Sequence, residues 1–521
     1  MSNLKFQEKN ENLLGLIEKA LIEHADKKAF HAVGKTLTFE QINEQSKALA
    51  AWLQHNTDLT PGDRIVIQLP NIMQFPIAVY AALRAGLILV NTNPMYTTRE
   101  MLHQFKDSGA KALIIFEDLL PKFDEISKQF DFDVIITASG TRATNLEFPS
   151  NNKQVCFEQV IAQGRALPFK AIKNNQPDSI CVLQYTGGTT GVSKGAMLTQ
   201  KNILSNVEQV KSRLGDTCIS AEETFVCPLP LYHIYGFVIN LLVMFSRGVL
   251  SILIVNPRDL DALVKTIKPY KVNGFAGLNT LFVALCQHSE FKSLDFSSLR
   301  LTISGGTALT PAAVKQWKGV TNCEISEGYG LSETSPVVCL NSPDKVVYGS
   351  VGLPVCDCEV ELRDENNLKV NRQERGEILV RGPQVMKGYW NRPEETDKVM
   401  TNDGFFRTGD IGICLPSGCI QIVERLKDMI NVSGFNVYPN EIEAVLVDHP
   451  NILEAAVIGK ADEKTGEKVV CFITINGELT TAQVQQHCRE SLTGYKVPKE
   501  IHIMSELPKS SVGKILRRNL R

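Results

Sequence analysis

The stretch YTGGTTGVSKGA, residues 185–196, follows directly on a strand-like run that begins at Ile180. Its glycines let backbone N–H groups approach anionic oxygens, its hydroxyls add hydrogen-bond donors, and its lysine neutralises charge. We therefore predict a triphosphate-binding loop made of Tyr185, Thr186, Gly187, Gly188, Thr189, Thr190, Gly191 and Lys194. An ordinary P-loop NTPase is disfavoured, because the Walker pattern needs Gly-Lys-Ser/Thr whereas Lys194 stands between Ser193 and Gly195. A flexible glycine-rich loop without a ligand is the alternative.

Outward from this loop, strand-like and helical stretches alternate along the chain. Apolar periodicity predicts helices at 37–54 and 75–83 and strands at 64–69, 112–116, 134–137, 180–185, 250–255 and 299–304. Such alternation is typical of a large α/β domain with mostly parallel sheets and flanking helices. Towards the end of the chain, short helices at 441–447 and 481–492 lie between short strands at 455–458, 469–475 and 501–504. This predicts a compact α+β unit, with its junction near residues 425–427.

Composition limits the partners and the compartment. In 521 residues, 55 Lys and Arg nearly balance 57 Asp and Glu, so the basic surface typical of a nucleic-acid-binding protein is not indicated. Thirteen irregularly spaced cysteines predict free buried thiols and a cytoplasmic, reducing compartment. Their spacing does not reproduce that of a zinc site. Residues 1–14 lack the apolar core of a secretory signal, and no apolar run approaches the ~20 residues that cross a bilayer, so we expect any membrane contact to be peripheral.

Further motifs follow the glycine-rich loop in a fixed order. They are SGG at 304–306, GYGLSET at 328–334, TGD at 408–410, ERLKD at 424–428, a glycine at 434 and PKSSVGKI at 508–515. Together with residues 185–196, this series closely resembles the adenylate-forming enzymes, which comprise acyl-CoA synthetases, nonribosomal peptide adenylation domains and beetle luciferases. The resemblance extends from about residue 37 to the end of the sequence. It implies ATP, Mg²⁺ and coenzyme A as cofactors.

The chemistry of adenylation explains the residue types in these motifs. A carboxylate attacks the α-phosphate of ATP, so negative charge must be neutralised on the attacking, transferring and leaving groups. The resemblance implies that Thr186 and Glu333 help to place Mg²⁺, which prefers one or two carboxylates plus substrate oxygens. It implies that Asp410 and Arg425 contact the ribose. The nucleotide-binding set is completed by Gly305, Gly306, Gly328, Tyr329, Gly330 and Ser332, among which Tyr329 and the glycines at 305 and 306 would bracket the adenine.

The resemblance also assigns roles near the end of the chain. On composition alone Lys514 is a solvated tail lysine, but it matches the lysine that bridges carboxylate and phosphate oxygens during adenylation. Lys427 matches a hinge position, which implies a large domain at 1–425, a hinge at 426–427 and a small mobile domain at 428–521 that rotates between two half-reactions. After rotation, Gly434 would line the pantetheine tunnel. His233 resembles a residue beside the acyl pocket and the α-phosphate, and a satisfied core histidine is the alternative.

The acyl substrate is inferred from residues 235–245, which carry no charged side chain. One asparagine interrupts this apolar run. A buried helix explains this run equally well. Further segments, such as 432–443 and 492–499, resemble bacterial long-chain fatty acyl-CoA synthetases, so a long-chain fatty acid:CoA ligase is the predicted function. A medium-chain or aryl-acid CoA ligase, or an acyl-AMP ligase that serves a carrier protein, is the alternative, and Gly434 favours CoA. A non-catalytic acyl or nucleotide sensor is more remote. The oligomeric state is open, with a homodimer as one candidate.

Overall fold

The computed structural model describes residues 12–140, 153–172, 176–186, 193–433, 435–510 and 513–521. Within them, one mostly parallel sheet has seven strands, in the spatial order Gln154–Cys156, Val134–Ala138, Ala112–Phe116, Arg64–Gln68, Ile88–Asn91, Ile180–Thr186 and Lys194–Thr199. The last two strands are antiparallel to each other. The glycine-rich segment at 187–192 connects them and lies outside the described residues.

A second sheet has nine strands in the described part of the chain. Their spatial order is Leu353–Pro354, Val337–Leu340, Ile325–Gly330, Leu301–Ser304, Gly274–Gly277, Thr224–Cys227, Leu250–Leu253, Lys28–Ala32 and Lys35–Thr38. The six strands from Ile325–Gly330 to Lys28–Ala32 run parallel, and antiparallel strands close both edges. The strands Leu301–Ser304 and Ile325–Gly330 are neighbours, so their carboxyl ends meet at one edge of the sheet.

Helices cover the two sheets. In the described residues they are Leu13–Glu23, Phe39–Asn56, Gln74–Arg84, Thr98–Ser108, Leu120–Ile126, Phe157–Gly164, Gln200–Leu214, Ile234–Val238, Leu260–Ile267, Asn279–Gln287, Ser289–Lys292, Pro311–Thr321 and Pro393–Val399. The predicted helix at 37–54 begins at Phe39, because Thr38 is extended and its hydroxyl accepts from the Gln41 N–H in a capping box. Its predicted apolar face is buried, as Phe39 and Leu49 have no exposed surface.

A four-stranded antiparallel sheet follows, which strand and helix alternation did not predict. Its strands are Glu359–Arg363, Arg375–Arg381, Phe406–Cys414 and Ile420–Arg425. It delivers two of the predicted site residues, because Asp410 and Arg425 are register partners on adjacent strands.

The small C-terminal domain contains the strands Ile430–Val432, Phe435–Val437, Ile452–Asp462, Gly466–Ile475 and Glu500–Ile503, and the helices Pro439–Val447 and Thr481–Ser491. Its own apolar core lies between sheet and helices. The fold class is confirmed: a large α/β domain with mostly parallel sheets precedes a small α+β domain. All thirteen cysteines are free thiols, and no helix in the described ranges is long and apolar enough to cross a membrane.

Candidate active site

The residues predicted to contact the ribose, Asp410 and Arg425, lie on the four-stranded sheet. Asp410 is 3% exposed and receives a hydrogen bond from the Tyr329 hydroxyl at 2.6 Å. Arg425 Nε lies 3.0 Å from Asp410 Oδ1. Burial, together with the neighbouring Asp410 carboxylate, holds the pKa of Tyr329 well above its ordinary value. Tyr329 therefore stays a neutral donor.

The residues predicted to bracket the adenine lie where two parallel strands finish. Gly305 and Gly306 follow Leu301–Ser304, and Gly306 has a φ of +83°. A Cβ on Gly305 would lie 3.4 Å from the Gly328 carbonyl oxygen, so the two motifs are in contact through backbone. A Cβ on Gly330 would stand only 2.0 Å from a backbone oxygen, at Pro336. Ser332 begins a 3₁₀ turn at Ser332–Thr334.

The predicted metal end centres on Glu333, which is 8% exposed. The Tyr389 hydroxyl donates to Glu333 Oε1 at 2.8 Å, and burial raises the pKa of Glu333. Thr186 ends the strand Ile180–Thr186, which packs against the turn that carries Glu333. One carboxylate and one hydroxyl suit Mg²⁺, which takes its other ligands from phosphate oxygens and water. Within the described residues, no three His, Cys, Asp or Glu side chains cluster as a metal site.

The lysine of the glycine-rich motif lies beside this metal end. Lys194 forms an ion pair with Glu395, and its ammonium lies 5.1 Å from the centre of the Tyr389 ring. Tyr185 is buried, and its hydroxyl donates to Asp107 at 2.8 Å. The predicted loop residues Gly187, Gly188, Thr189, Thr190 and Gly191 lie outside the described residues, as does Gly434.

Lys514 lies close enough to Arg425 and Asp410 for their charges to act on its ammonium, so it is not placed in a solvated tail. A tight turn presents it, because the Ser510 N–H donates to the Lys514 carbonyl at 2.7 Å and the Lys514 N–H donates to Ser510 Oγ at 3.1 Å. Gly513 packs so closely that a Cβ there would lie 3.1 Å from Thr280 Oγ1 of the large domain. Burial, followed by the positive charge of Arg425, lowers the pKa of Lys514 to about 8.

His233 caps the helix Ile234–Val238, and its Nδ1 accepts from the Tyr235 N–H at 3.4 Å. Burial, followed by the nearby charge of Lys514, lowers the pKa of His233 to about 4, so the ring is neutral at pH 7. His233 keeps part of its surface accessible, unlike Ile234 behind it. This favours a position facing the site over that of a sealed core histidine. Lys427, at the predicted hinge, also has a lowered pKa, chiefly through burial.

The apolar run after His233 is a buried helix. It continues from Ile234–Val238 into a π-helix at Ile239–Met244, and its residues pack in the main core. Two polar groups in it have no hydrogen-bond partner within the described chain: the Tyr235 hydroxyl and the Asn240 amide. The Tyr235 ring lies against Gly305, since a Cβ there would stand 3.5 Å from it. Tyr235 therefore places the start of the apolar helix against the Gly305 backbone.

Sequence reasoning missed two residues that shape the site. Tyr389 orients Glu333, and Glu424 is a buried carboxylate next to Arg425. Glu424 stands inside the recognised ERLKD motif, but its burial depends on contact with Asn440 of the small domain and has no local sequence signal. Tyr389 follows Gly388, where an added Cβ would lie 2.9 Å from Thr396. This close packing has no local sequence signal.

Comparison with known proteins agrees with this geometry. Residues 17–390 match the AMP-binding enzyme family, and residues 441–514 match the AMP-binding enzyme C-terminal domain. The long-chain-fatty-acid–CoA ligase of Yersinia pestis is 43% identical across 98% of this chain and 94% of that protein. Its counterpart from Escherichia coli O157:H7 is 42% identical with the same coverage. The 4-coumarate–CoA ligase 1 of Petroselinum crispum is 32% identical across 94% of this chain and 89% of that protein.

Solved structures share the whole architecture. The anthranilate CoA ligase AuaEII in complex with anthranoyl-AMP has a TM-score of 0.88 at 26% identity, covering 98% of this chain and 96% of that chain. ATP-bound MatB from Rhodopseudomonas palustris has a TM-score of 0.87 at 26% identity, covering 98% of both chains. The chain therefore belongs to the AMP-binding, adenylate-forming enzyme family, and within it to the long-chain acyl-CoA synthetases.

Proposed function

We propose that this chain converts a long-chain fatty acid, ATP and coenzyme A into acyl-CoA, AMP and pyrophosphate through an acyl-adenylate. The observation that supports the residue assignments best is the convergence of Lys514, from the small domain, with Asp410 and Arg425, from the large domain. A tail lysine without a role would keep its ammonium in water, since burying a charge is unfavourable unless a partner compensates.

Each side chain has a distinct part in adenylation. Asp410 accepts the ribose hydroxyls, while the glycines at 305 and 306 and Tyr329 enclose the base. Glu333, oriented by Tyr389, and Thr186 would hold Mg²⁺, which when bound neutralises charge on the phosphate oxygens. Lys514 donates to the attacking carboxylate and the α-phosphate together. No general base is required, because a carboxylic acid is ionised well above a pKa of ~4.3; neutral His233 acts by shaping the space between acyl group and phosphate.

The second half-reaction needs a different arrangement. Lys514 occupies the space next to His233 and Arg425, where the thiol of coenzyme A must arrive. Rotation of the small domain, 428–521, about 426–427 against the large domain, 1–425, would remove the lysine and bring Gly434 to the pantetheine path. Hinges absorb such changes over a few residues. The short turn Leu426–Asp428, in which Leu426 is 49% exposed, suits this role.

The substrate assignment is tested by measuring AMP and acyl-CoA over carboxylic acids from acetate to oleate, with benzoate and 4-coumarate included. We expect a maximum at long chains, with one AMP per acyl-CoA. Turnover of aryl or short acids alone would contradict the long-chain assignment and favour the aryl-acid or medium-chain alternative. AMP formation that CoA does not accelerate would indicate an acyl-AMP ligase, and no turnover at all would indicate a sensor.

We further propose a cytoplasmic enzyme that contacts the inner membrane face peripherally, since long-chain fatty acids partition into bilayers. A homodimer is proposed as its state in solution. Co-sedimentation with vesicles tests the membrane contact, and protein that stays in the supernatant would contradict it. Light scattering with size-exclusion chromatography tests the homodimer, and a monomer mass would contradict it.

A further inference from the structure

The carboxylate of Glu424 is buried at the junction of the two domains. Glu424 lies on the strand Ile420–Arg425 of the large domain, next to Arg425, and is 1% exposed. Its Oε1 accepts the Arg425 N–H at 2.9 Å. Its Oε2 accepts the Asn440 N–H at 2.7 Å, in the first turn of the helix Pro439–Val447 of the small domain. Glu424 therefore joins a ribose-contact residue to a helix that belongs to the other domain.

Arg517, from the small domain, approaches the same carboxylate. It stands three positions after Lys514, and its Nη1 lies 3.6 Å from Glu424 Oε1. Its Nη2 donates to Asn440 Oδ1 at 2.8 Å and to Glu443 Oε2 at 2.8 Å. The guanidinium is thus fixed to the small-domain helix through Glu443. It links both that helix and the turn that holds Lys514 to Glu424. Charge-assisted bonds of this kind are among the stronger contacts in proteins.

The position of Lys514 needs such support. The charges of Arg425, Arg517 and Lys427 disfavour the Lys514 ammonium, while that of Asp410 favours it. The three cations by themselves would push the small domain away from the large one. Burial raises the pKa of Glu424 to about 7 and the charge of Arg517 lowers it, so docking of Arg517 favours the ionised Glu424 carboxylate at the place where the two domains meet.

We propose that Glu424 and Arg517 form an interdomain clamp that positions Lys514 for adenylation and must open before thioester formation. The clamp crosses the hinge, since Glu424 precedes 426–427 while Asn440 and Arg517 follow it. Both are positioning residues, because neither contacts a reacting atom. This inference rests on the proposed two-step function with domain rotation.

The test separates the half-reactions in Glu424→Ala and Glu424→Gln. Adenylation is followed by ATP–pyrophosphate exchange, and thioester formation by the reaction of CoA with supplied acyl-adenylate. Losing a buried charge-assisted contact lowers the docked population, so we expect adenylation to slow about ten- to hundred-fold with the alanine variant. Thioester formation should stay within about two-fold of the wild type, or rise, because this step needs the clamp open. Glu424→Gln keeps an acceptor but no charge, so its loss should be intermediate.

The matched control is Lys468→Ala. Lys468 Nζ lies 2.7 Å from Glu500 Oε1, so this ion pair lies entirely within the small domain and shares no residue with the clamp. Its loss should leave the two half-reactions in their wild-type ratio. Limited trypsin cleavage after Arg425 or Lys427 gives a readout without turnover: Glu424→Ala should be cut faster than Lys468→Ala.

Equal loss in both half-reactions, or cleavage no faster than in Lys468→Ala, would overturn the clamp. The exchange assay is run with whichever acid the wild type turns over best. Failure of the long-chain assignment would therefore appear as a different preferred acid, while failure of the clamp would appear as an unchanged ratio with that acid.

Discussion

Replacing Lys514 with alanine removes an ammonium of the small domain whose charge acts on His233 and is itself disfavoured by Arg425. Burial and the neighbouring arginine lower the pKa of this lysine from 10.5 to about 8. That change corresponds to about 3 kcal/mol against the charged form in the empty site. A triphosphate and a carboxylate reverse this balance, because they place negative charge where the ammonium points. Removing one preorganised donor of this kind costs about 10²–10³-fold in kcat, so we expect Lys514→Ala to slow adenylation by that factor.

The measurement is ATP–pyrophosphate exchange with a long-chain fatty acid, paired with CoA transfer from supplied acyl-adenylate. The second rate should stay within about two-fold of the wild type, because the lysine leaves the site before the thiol enters. Lys509→Ala is the matched control. Lys509 Nζ lies 2.7 Å from Glu454 Oε1 within the small domain, so its loss should spare both rates. Equal loss of both half-reactions in Lys514→Ala would refute the assigned role.

Three further outcomes are expected. For adenylation, kcat/KM for ATP should fall as pH rises through about 8, because kcat/KM reports the free enzyme and Lys514 loses its proton above that pKa. A profile that stays flat to pH 9.5 would contradict this. Tyr389→Phe removes the hydroxyl that orients Glu333. In a Mg²⁺ titration at fixed ATP, the Mg²⁺ concentration that gives half-maximal activity should therefore rise about ten-fold. An unaltered titration curve would contradict the orienting role. Gly330→Ala places a Cβ 2.0 Å from a carbonyl oxygen, so calorimetry should detect a loss of ATP affinity, whereas Gly319→Ala, on an open helix face, should bind normally.

The sequence predicts those parts of the molecule that depend on neighbours along the chain. Runs of apolar residues identify the parallel strands, and the order of short motifs identifies Asp410 and Arg425, which meet in register on adjacent strands. The predicted bounds differ from the structure mostly at the ends of elements, as at Phe39, where a capping residue decides the start of the helix. The four-stranded sheet was not predicted, because many residues of its strands are partly exposed and its apolar runs are short.

Contacts between distant residues could not be predicted from local patterns. Tyr389 and Glu333 are 56 positions apart, and the partner of Lys194 is 201 positions away, at Glu395. No periodicity encodes such pairs, since they follow from how whole sheets and helices pack. The burial of Lys514 has the same origin: a lysine in a polar tail acquires a lowered pKa only because a separate domain covers it.

The charges of the site give a physical reason for the order of the two half-reactions. The cations Arg425, Lys427 and Lys514 repel one another across the domain boundary, and Asp410 and Asp428 oppose this repulsion. In the proposed mechanism, a triphosphate would supply further negative charge and draw the small domain in. Most of that charge would leave with pyrophosphate after adenylation, so the repulsion would return while the acyl-adenylate remains. We therefore expect added pyrophosphate to slow thioester formation. The measurement uses Lys514→Ala, in which reversal of adenylation is blocked. A rate independent of pyrophosphate would show that charge does not control the rotation.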